Sequence, residues 1–387
     1  MSVSGLQVIV IGGGVAGLAV TAALRQRGAD VLVLEQAGGF REVGAGLQIS
    51  PNGARVIGAL GLDGALERLA LRSQAVELRA GPSGAQVLRI ELPQDSAGFH
   101  LVHRADLIDL LAQGLDGAET RFVAQVAQVN PQGPRPSVML KGGEVLSADL
   151  VLGADGLHSV LRPALQPGTL KAPFFTGQVA WRAVIPGDGG AAEAQLFMGA
   201  GRHLVSYPLR EGRLRNIVAV EERRGWAAAE GWNHPDSPAN LRAAFAGFGG
   251  PVPGWLAQVE KLYLWGLFRH PVATHWHHGH GAILGDAAHP TLPFMAQGAN
   301  LALEDAWVLA AMLERHPVTT ALAAYQQARR ARAARVIEAA NRNARNYHLR
   351  APLAQIAHGI LRLSARLQPD GMLKRLGWIY DFDVTQP

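Results

Sequence analysis

Leu6-Gln7-Val8-Ile9-Val10-Ile11-Gly12-Gly13-Gly14-Val15-Ala16-Gly17-Leu18 opens the chain with an apolar run that breaks on glycines. Residues 6–11 are continuous and short, the pattern of a strand buried on both faces. Residues 18–27 read as a helix with Leu18, Ala22 and Leu24 on its apolar side, and Gly28 ends it. Residues 31–34 form a second apolar strand closed by Glu35, so the segment is one strand–helix–strand unit. In the spacing Gly12-x-Gly14-x-x-Gly17, the first glycine permits a tight turn. The second lets the backbone approach a pyrophosphate, and the third allows close packing of helix on strand. The helix N-terminus then stabilises the phosphate charge. Glu35 stands where a carboxylate accepts hydrogen bonds from a ribose; Ala16 in the turn and Gln36 beside the acid join the same cofactor-binding set. An acid here favours an adenosine with a free 2′-hydroxyl, so FAD or NAD over NADP.

Composition narrows the chemistry. The chain has 387 residues, 48% of them hydrophobic and 17% charged, enough for a core without staples and a length that predicts two or three domains. With no cysteine, disulfides, thiolate metal sites, iron–sulfur clusters and a cysteine nucleophile are excluded. No run reaches about 18 uninterrupted apolar residues, so no transmembrane helix is expected. The N-terminus lacks the basic region and cleavage pattern of a signal peptide, which makes cytoplasmic residence the expectation. The net charge of +5 is uneven: residues 326–350 hold seven arginines against one acid, Glu338. Such a stripe suits nucleic acid or an anionic membrane surface. With no nucleic-acid motif beside it, the expectation is a solvated helix face, no nucleic-acid partner and no stable membrane insertion.

Beyond residue 40 the pattern becomes mixed. Residues 51–60 read as a helix closed by Gly61, 74–92 as antiparallel strands, 107–115 as a helix and 145–153 as one buried strand. Short alternating runs at 178–185, 194–197, 203–208 and 216–220 point to an antiparallel sheet. Residues 282–284 return to a buried strand, and the chain is helix-rich from 299 to about 364. The expected fold class is α/β: a discontinuous Rossmann-like dinucleotide domain with an inserted antiparallel-sheet substrate domain and a helical C-terminal region. Residues 1–73, 100–165 and 276–345 are assigned to the first, 74–99 and 166–275 to the second, and 346–387 to the third.

Two later segments separate FAD from NAD. Ala154-Asp155-Gly156-Leu157-His158-Ser159 follows one buried strand, and Gly285-Asp286-Ala287-Ala288-His289-Pro290 follows another. Asp286 lies at a strand's C-terminal end, where open α/β sheets bind ligands and a carboxylate holds sugar hydroxyls. Gln297-Gly298-Ala299-Asn300 starts a helix that carries Glu304 and Asp305. Backbone N–H groups at such a start suit an anionic ring edge, such as the N1/O2 side of a reduced flavin. Together, in this order across nearly the whole chain, these motifs resemble the group A flavoprotein monooxygenases, the para-hydroxybenzoate hydroxylase fold. His103-Arg104-Ala105-Asp106-Leu107 matches that family's HRxxL element, and the resemblance puts Arg104 near the ribityl–phosphate chain. Glu42-Val43-Gly44-Ala45-Gly46-Leu47-Gln48-Ile49-Ser50-Pro51-Asn52 is similar to the salicylate hydroxylase and 3-hydroxybenzoate 6-hydroxylase branch. So are Asn346-Tyr347-His348-Leu349 and Trp378-Ile379-Tyr380-Asp381-Phe382-Asp383.

The resemblance implies bound FAD, transient NADH or NADPH, O2, and a small phenolic or hydroxybenzoate-type aromatic substrate. In that cycle NAD(P)H reduces FAD, O2 forms a flavin C4a-hydroperoxide, and the distal oxygen attacks the ring. The protein positions the ring, excludes water and helps ionise the phenol. No second glycine fingerprint serves the nicotinamide cofactor, which leaves NADH and NADPH open. A homodimer is a further expectation of the family.

His203-Leu204-Val205-Ser206-Tyr207-Pro208 supplies the catalytic candidates. On a two-residue period His203, Val205 and Tyr207 share a face. An imidazole accepts a phenol proton near neutral pH. Resemblance to the 3-hydroxybenzoate 6-hydroxylases puts a histidine, four residues before a tyrosine, against the substrate. By the same resemblance Pro293 and Phe294 wall the substrate pocket, although the glutamine that some relatives carry near this proline is absent. His289 reads as a residue that positions its motif. Arg182 is the candidate for a substrate carboxylate, which arginine grips bidentately; a protein carboxylate is the competing partner. His275, His277, His278 and His280 cluster without a carboxylate to complete a ligand set, so no metal is expected. Arg41 is a loop arginine that either approaches the flavin, gates NAD(P)H or sits at the surface.

Three other readings use the same fold. A flavin halogenase carries WxWxIP, but here Trp181-Arg182-Ala183-Val184-Ile185-Pro186 has Ala183 in place of the second tryptophan. A membrane-associated quinone-ring hydroxylase would use the arginine stripe, against which the salicylate-like tail argues. A flavin-binding protein without oxygenase activity would keep the cofactor motifs alone.

Overall fold

The computed structural model describes residues 3–40, 46–94, 97–165, 168, 172–226 and 234–386. The strand Gln7–Ile11 is central. It pairs in parallel with Asp30–Leu34 on one side, Val8 opposite Val31, and with Leu150–Gly153 on the other, Val8 opposite Leu150. Gly281–Ile283 extends the parallel order past Leu150–Gly153, Glu119–Arg121 extends it past Asp30–Leu34, and His277–His278 adds an antiparallel edge. Segments remote in sequence therefore meet side by side. Val8, Val10, Leu150, Leu152, Ala282 and Ile283 are buried, as parallel strands covered on both faces must be.

Residues 145–153 are not one strand. Val145–Ser147 is an edge of a separate antiparallel meander with Ser137–Leu140 and Val126–Asn130, and the chain enters the central sheet only at Leu150. Asp149 marks the break: its N–H donates to the Gln7 carbonyl and its carboxylate accepts the Gln7 N–H at 3.0 Å. The helix expected over 107–115 runs instead over Arg104–Gln113, because His103 caps it, Nδ1 accepting the Ala105 N–H.

Among the described residues a second sheet has eight strands. Their order is His234–Pro235, Tyr263–Arg269, Phe174–Pro186, Leu214–Glu222, Arg202–Leu209, Glu193–Gly199, Ala75–Ala80, Gln86–Glu91. One face buries Trp181, Phe197, Leu204 and Ile217 against Leu241, Phe245 and Trp255. Alternate residues point the other way. Register therefore puts His203, Tyr207, Asn216, Val218, Arg182 and Trp265 on the opposite face. That face packs in part against Leu292, Phe294 and the helix Val318–Tyr347.

The arginine-rich helix is a solvated face, as expected, except at two cations that turn inward. Arg329 is buried between Glu304 (2.6 Å) and Asp305 (2.8 Å) of the helix Gly298–Arg315. Arg332 grips Glu304 through two nitrogens at 2.7 Å, donates to the carbonyls of Trp378 and Ile379, and lies over Phe382. Burial works to raise both carboxyls, but the cations outweigh it and hold Glu304 and Asp305 below the ordinary carboxylate range. Arg330, Arg335, Arg342, Arg345 and Arg350 are exposed, as expected of the stripe, Arg342 pairing with Glu338 four residues earlier. Helices continue past residue 364, over Leu353–Leu367 and Gly371–Tyr380. Among the described residues no helix is long and apolar enough to cross a membrane.

Candidate active site

The glycine turn leaves a cradle. Gly12 has φ +100°, and a Cβ there would lie 2.5 Å from the Ala154 carbonyl oxygen. A Cβ on Gly17 would sit 1.9 Å from the Gly12 carbonyl oxygen, so this glycine lets the helix Val15–Arg25 close onto the strand. A Cβ on Gly14 would meet no protein atom within 4 Å. The first helical bond runs from the Leu18 N–H to the Gly14 carbonyl, so the N–H groups of Val15, Ala16 and Gly17 lie ahead of the helical ladder, at its positive end. Glu35 accepts the Gly13 N–H on one oxygen and the Ala37 N–H on the other, both at 2.7 Å, with a lone pair left on each. Gln36 is exposed beside it.

The Asp-Gly and Gly-Asp motifs are tied together by Arg162. It is buried and donates to the carbonyls of Ala287 (2.9 Å) and Pro271 (2.7 Å). Asp155 was assigned to the cofactor by sequence, but its carboxylate turns inward and accepts the Val160 N–H at 2.8 Å, holding its own turn. Asp286 is exposed although its neighbours Gly285 and Ala287 are buried. Arg104 stands near it: burial lowers the guanidinium and the Asp286 charge opposes that. His289 is hydrogen-bonded through Nε2 to Asp305, whose same oxygen accepts the Gly285 N–H.

Asn300, another assigned residue, has a buried side chain that serves the fold. Its oxygen accepts the Ser50 N–H, and its nitrogen donates to the carbonyls of Gln48 and Ala296. The first bond of its helix runs from the Leu301 N–H to the Gln297 carbonyl. The N–H groups of Gly298, Ala299 and Asn300 are thus left by the helix for an anionic ring edge. The open Gly14 cradle, the acceptor pair on Glu35, the exposed Asp286 carboxylate and this helix start together fit FAD.

The substrate candidates converge on the second sheet. His203 and Tyr207 are buried. Phe294 packs its ring 5.4 Å from that of His203, with Pro293 half-buried beside it. The Tyr207 ring covers Gly46, whose N–H donates to Asn216 at 2.8 Å, and Asn216 is the cross-strand partner of Tyr207. Arg182 lies over the Trp265 ring at 4.0 Å. Burial, then the charge of Arg104, pushes its guanidinium down to about 9, with Tyr207 opposing. Among the described residues no carboxylate is within ion-pair distance of Arg182, so the competing role of a protein ion pair is not realised. Its strand is two removed from that of His203 and Tyr207, about 10 Å across the sheet. That span suits a single aromatic ring with a polar group at each end.

Sequence reading missed several residues. Trp265 and Asn216 carry no motif and are brought in by strand register alone, and Gly46, part of the family-like loop, reaches them through its bond to Asn216. Asn52 and Gln297 tie the same loop to Glu304 and Ser50. His348 had appeared only as part of a family-like tail, yet it touches His203. A signal was present for the buried ion cluster: two adjacent acids inside an apolar helix need cations. Arg41 and residues 42–45 lie outside the described residues. Among the described residues no group of three or more metal-ligating side chains is gathered.

A glycine-cradled dinucleotide site on a parallel sheet, with a second sheet that carries an imidazole, a phenol and a guanidinium on one face, is the arrangement of a flavoprotein. The chain belongs to the FAD binding domain family, which matches residues 5–340. It is 35% identical over 392 residues to a 3-amino-4-hydroxybenzoate 2-monooxygenase of Streptomyces platensis, covering 98% of this chain and 96% of that one. A salicylate hydroxylase of Pseudomonas putida is 30% identical over 413 residues, covering 98% and 93%. A solved salicylate hydroxylase substrate complex has a TM-score of 0.84 at 25% identity, covering 98% and 96%. The protein is an FAD-dependent aromatic monooxygenase of the hydroxybenzoate and salicylate type, with NAD(P)H and O2 as co-substrates. The expected fold class, with its FAD-binding domain, inserted sheet and C-terminal helices, is the fold observed.

Proposed function

We propose that the substrate is a monocyclic hydroxybenzoate, held by its carboxylate on Arg182 and deprotonated at its phenol by His203. The observation that carries this reading is the carboxylate-free Arg182 guanidinium, on the same sheet face as His203 and Tyr207. A cation kept in such a place without a protein partner has its counter-charge supplied by a ligand. Burial, then the neighbouring His348, holds the His203 imidazole well below its ordinary range, so it rests neutral with one nitrogen open, and it acts as a base by passing a proton on rather than holding the charge. Tyr207 orients the phenol end by hydrogen bonding, and Pro293 and Phe294 wall the ring and exclude water.

Gly12, Gly14, Ala16 and Gly17 would hold the FAD pyrophosphate, Glu35 and Gln36 the adenosine ribose, Arg104 and Asp286 the ribityl–phosphate chain. The helix start at Gly298, Ala299 and Asn300 would face the ring edge through its N–H groups, with Asp155 setting the adjacent turn. Bound FAD supplies the redox chemistry, taking hydride from NAD(P)H and activating O2. Residues 1–73, 100–165 and 276–345 serve that cofactor in this reading, 74–99 and 166–275 serve the substrate, and 346–387 form the C-terminal helical segment.

The test follows NADH and NADPH oxidation by FAD-loaded enzyme with 3-amino-4-hydroxybenzoate, salicylate and 4-hydroxybenzoate, and quantifies hydrogen peroxide in parallel. Stimulated oxidation with little peroxide is expected for the true class. Equal stimulation by the corresponding phenols lacking a carboxylate would refute the role of Arg182.

A further inference from the structure

We propose that His348 and Glu222 form a relay that carries the proton taken up by His203 out to solvent. The proposal rests on His203 as the base and extends it. His203 Nδ1 lies 2.7 Å from His348 Nε2, and His348 Nδ1 lies 2.9 Å from the Glu222 carboxylate. The His203 and His348 side chains are 1% and 2% exposed, whereas that of Glu222 is 46% exposed. Two hydrogen bonds therefore span the distance from a buried imidazole to the surface. Glu222 opens there on a groove it shares with Thr176, Gln178, Arg224 and Arg350.

Hydrogen-bond chemistry sets the direction. A carboxylate only accepts, so His348 must carry its proton on Nδ1. Neutral His348 then presents a bare Nε2, to which His203 donates from Nδ1. That leaves His203 with a bare Nε2, the nitrogen that makes no hydrogen bond among the described residues. The relay thus selects the tautomer in which His203 is a base toward the cleft. When the phenol proton bonds to Nε2 of His203, its Nδ1 proton passes to Nε2 of His348. The Nδ1 proton of His348 passes to Glu222, which releases it to water. One proton enters and one leaves, and the substrate is left as phenolate. Reversal of the path reprotonates the product and restores both tautomers.

The surroundings favour neutral carriers. Burial lowers both imidazoles, with Glu222 opposing that for His348. Arg202 disfavours a charged His348 and is itself paired with Glu221 at 3.3 Å. Rings of Tyr347 and Phe294 flank His203, the Tyr347 hydroxyl donating to the Phe294 carbonyl. Arg350 and Glu222 both reach toward Gly201 at the groove.

The experiment uses the FAD holoenzyme with 3-amino-4-hydroxybenzoate as probe, and Glu222→Gln, Glu222→Asp, His348→Ala and His203→Gln. Glu222→Gln keeps a hydrogen-bonding group but cannot take up and release a proton. It should lower kcat by about tenfold near neutral pH, alter the pH profile, and leave KM, FAD retention and melting temperature unchanged. Glu222→Asp should recover part of the rate, and added imidazole should partly rescue His348→Ala. Wild-type kcat and pH profile in Glu222→Gln, with His203→Gln impaired, would overturn the relay and leave the base intact. A wild-type pH–rate profile in His203→Gln would instead remove the base and the relay with it. Nitrogen-15 spectra of histidine-labelled holoenzyme decide without turnover. Protons on Nδ1 of both His203 and His348 are expected, and an Nε2 proton on either sinks the proposal.

Discussion

Replacing Gly14 and Gly17 separately with alanine should divide cofactor binding from folding, because the two glycines meet different things. Gly14 has φ −81° and ψ −172°, a conformation alanine adopts freely, and its Cβ would meet no protein atom within 4 Å. Alanine gains about 0.4–1 kcal/mol from a less flexible unfolded chain and loses a similar amount as a poorer N-cap. The apoprotein melting temperature should therefore shift by no more than about 2 °C. The same methyl group fills the space through which a pyrophosphate reaches the helix N-terminus. Losing one hydrogen bond to a charged phosphate, about 1.5–3 kcal/mol, weakens FAD by roughly one to two orders of magnitude. Gly17→Ala behaves in the opposite way. Its Cβ would lie 1.9 Å from a backbone oxygen, which no rotamer relieves. The helix must move away from the strand by more than about 1 Å, at about 1–3 kcal/mol, so the apoprotein should melt several degrees lower. The assays are thermal melts of apoprotein and FAD titration by flavin fluorescence. Wild-type FAD affinity in Gly14→Ala, or a wild-type melt in Gly17→Ala, would refute the reasoning.

Glu35→Gln sets an amide N–H2 against the N–H of either Gly13 or Ala37 and should weaken FAD about tenfold, read by the same titration. Arg182→Met should raise KM for a carboxylate substrate about 10–100-fold in steady-state assays, while the melting temperature holds or rises because a buried charge without a carboxylate partner is removed. Arg329→Met leaves Asp305 with only His289 and the Gly285 N–H and should destabilise by about 3–5 kcal/mol in denaturant titration. Since Glu304 and Asp305 lie below the ordinary carboxylate range, their pairing is fully present above about pH 4 and is lost as pH falls through their lowered values. Melting temperatures of wild type and Arg329→Met should converge in that acid range, and a constant gap would contradict the assignment.

The FAD site was legible because each of its constraints is local. The spacing of Gly12, Gly14 and Gly17, the strand end at Glu35 and the Gly285-Asp286 turn each lie within one supersecondary unit, where two or three neighbouring residues dictate backbone shape. What the sequence did not show depends on distant partners. The arginines of residues 326–350 resemble a solvated face in any window along the chain, and only the packing of their helix on Gly298–Arg315 buries Arg329 between two acids. The Asn300 side chain is likewise tied to a remote segment, the Ser50 N–H 250 residues away in sequence, while the backbone N–H groups of its helix start stay open.

The sequence alone therefore determined the strand–helix–strand unit, the dinucleotide and the family, because glycine conformation and apolar periodicity act over a few residues. The proposed substrate face was decided only by tertiary structure. Register between strands, which no local pattern encodes, puts Arg182, His203, Asn216 and Trp265 on one surface, and the end of a helix some 145 residues away brings His348 to His203.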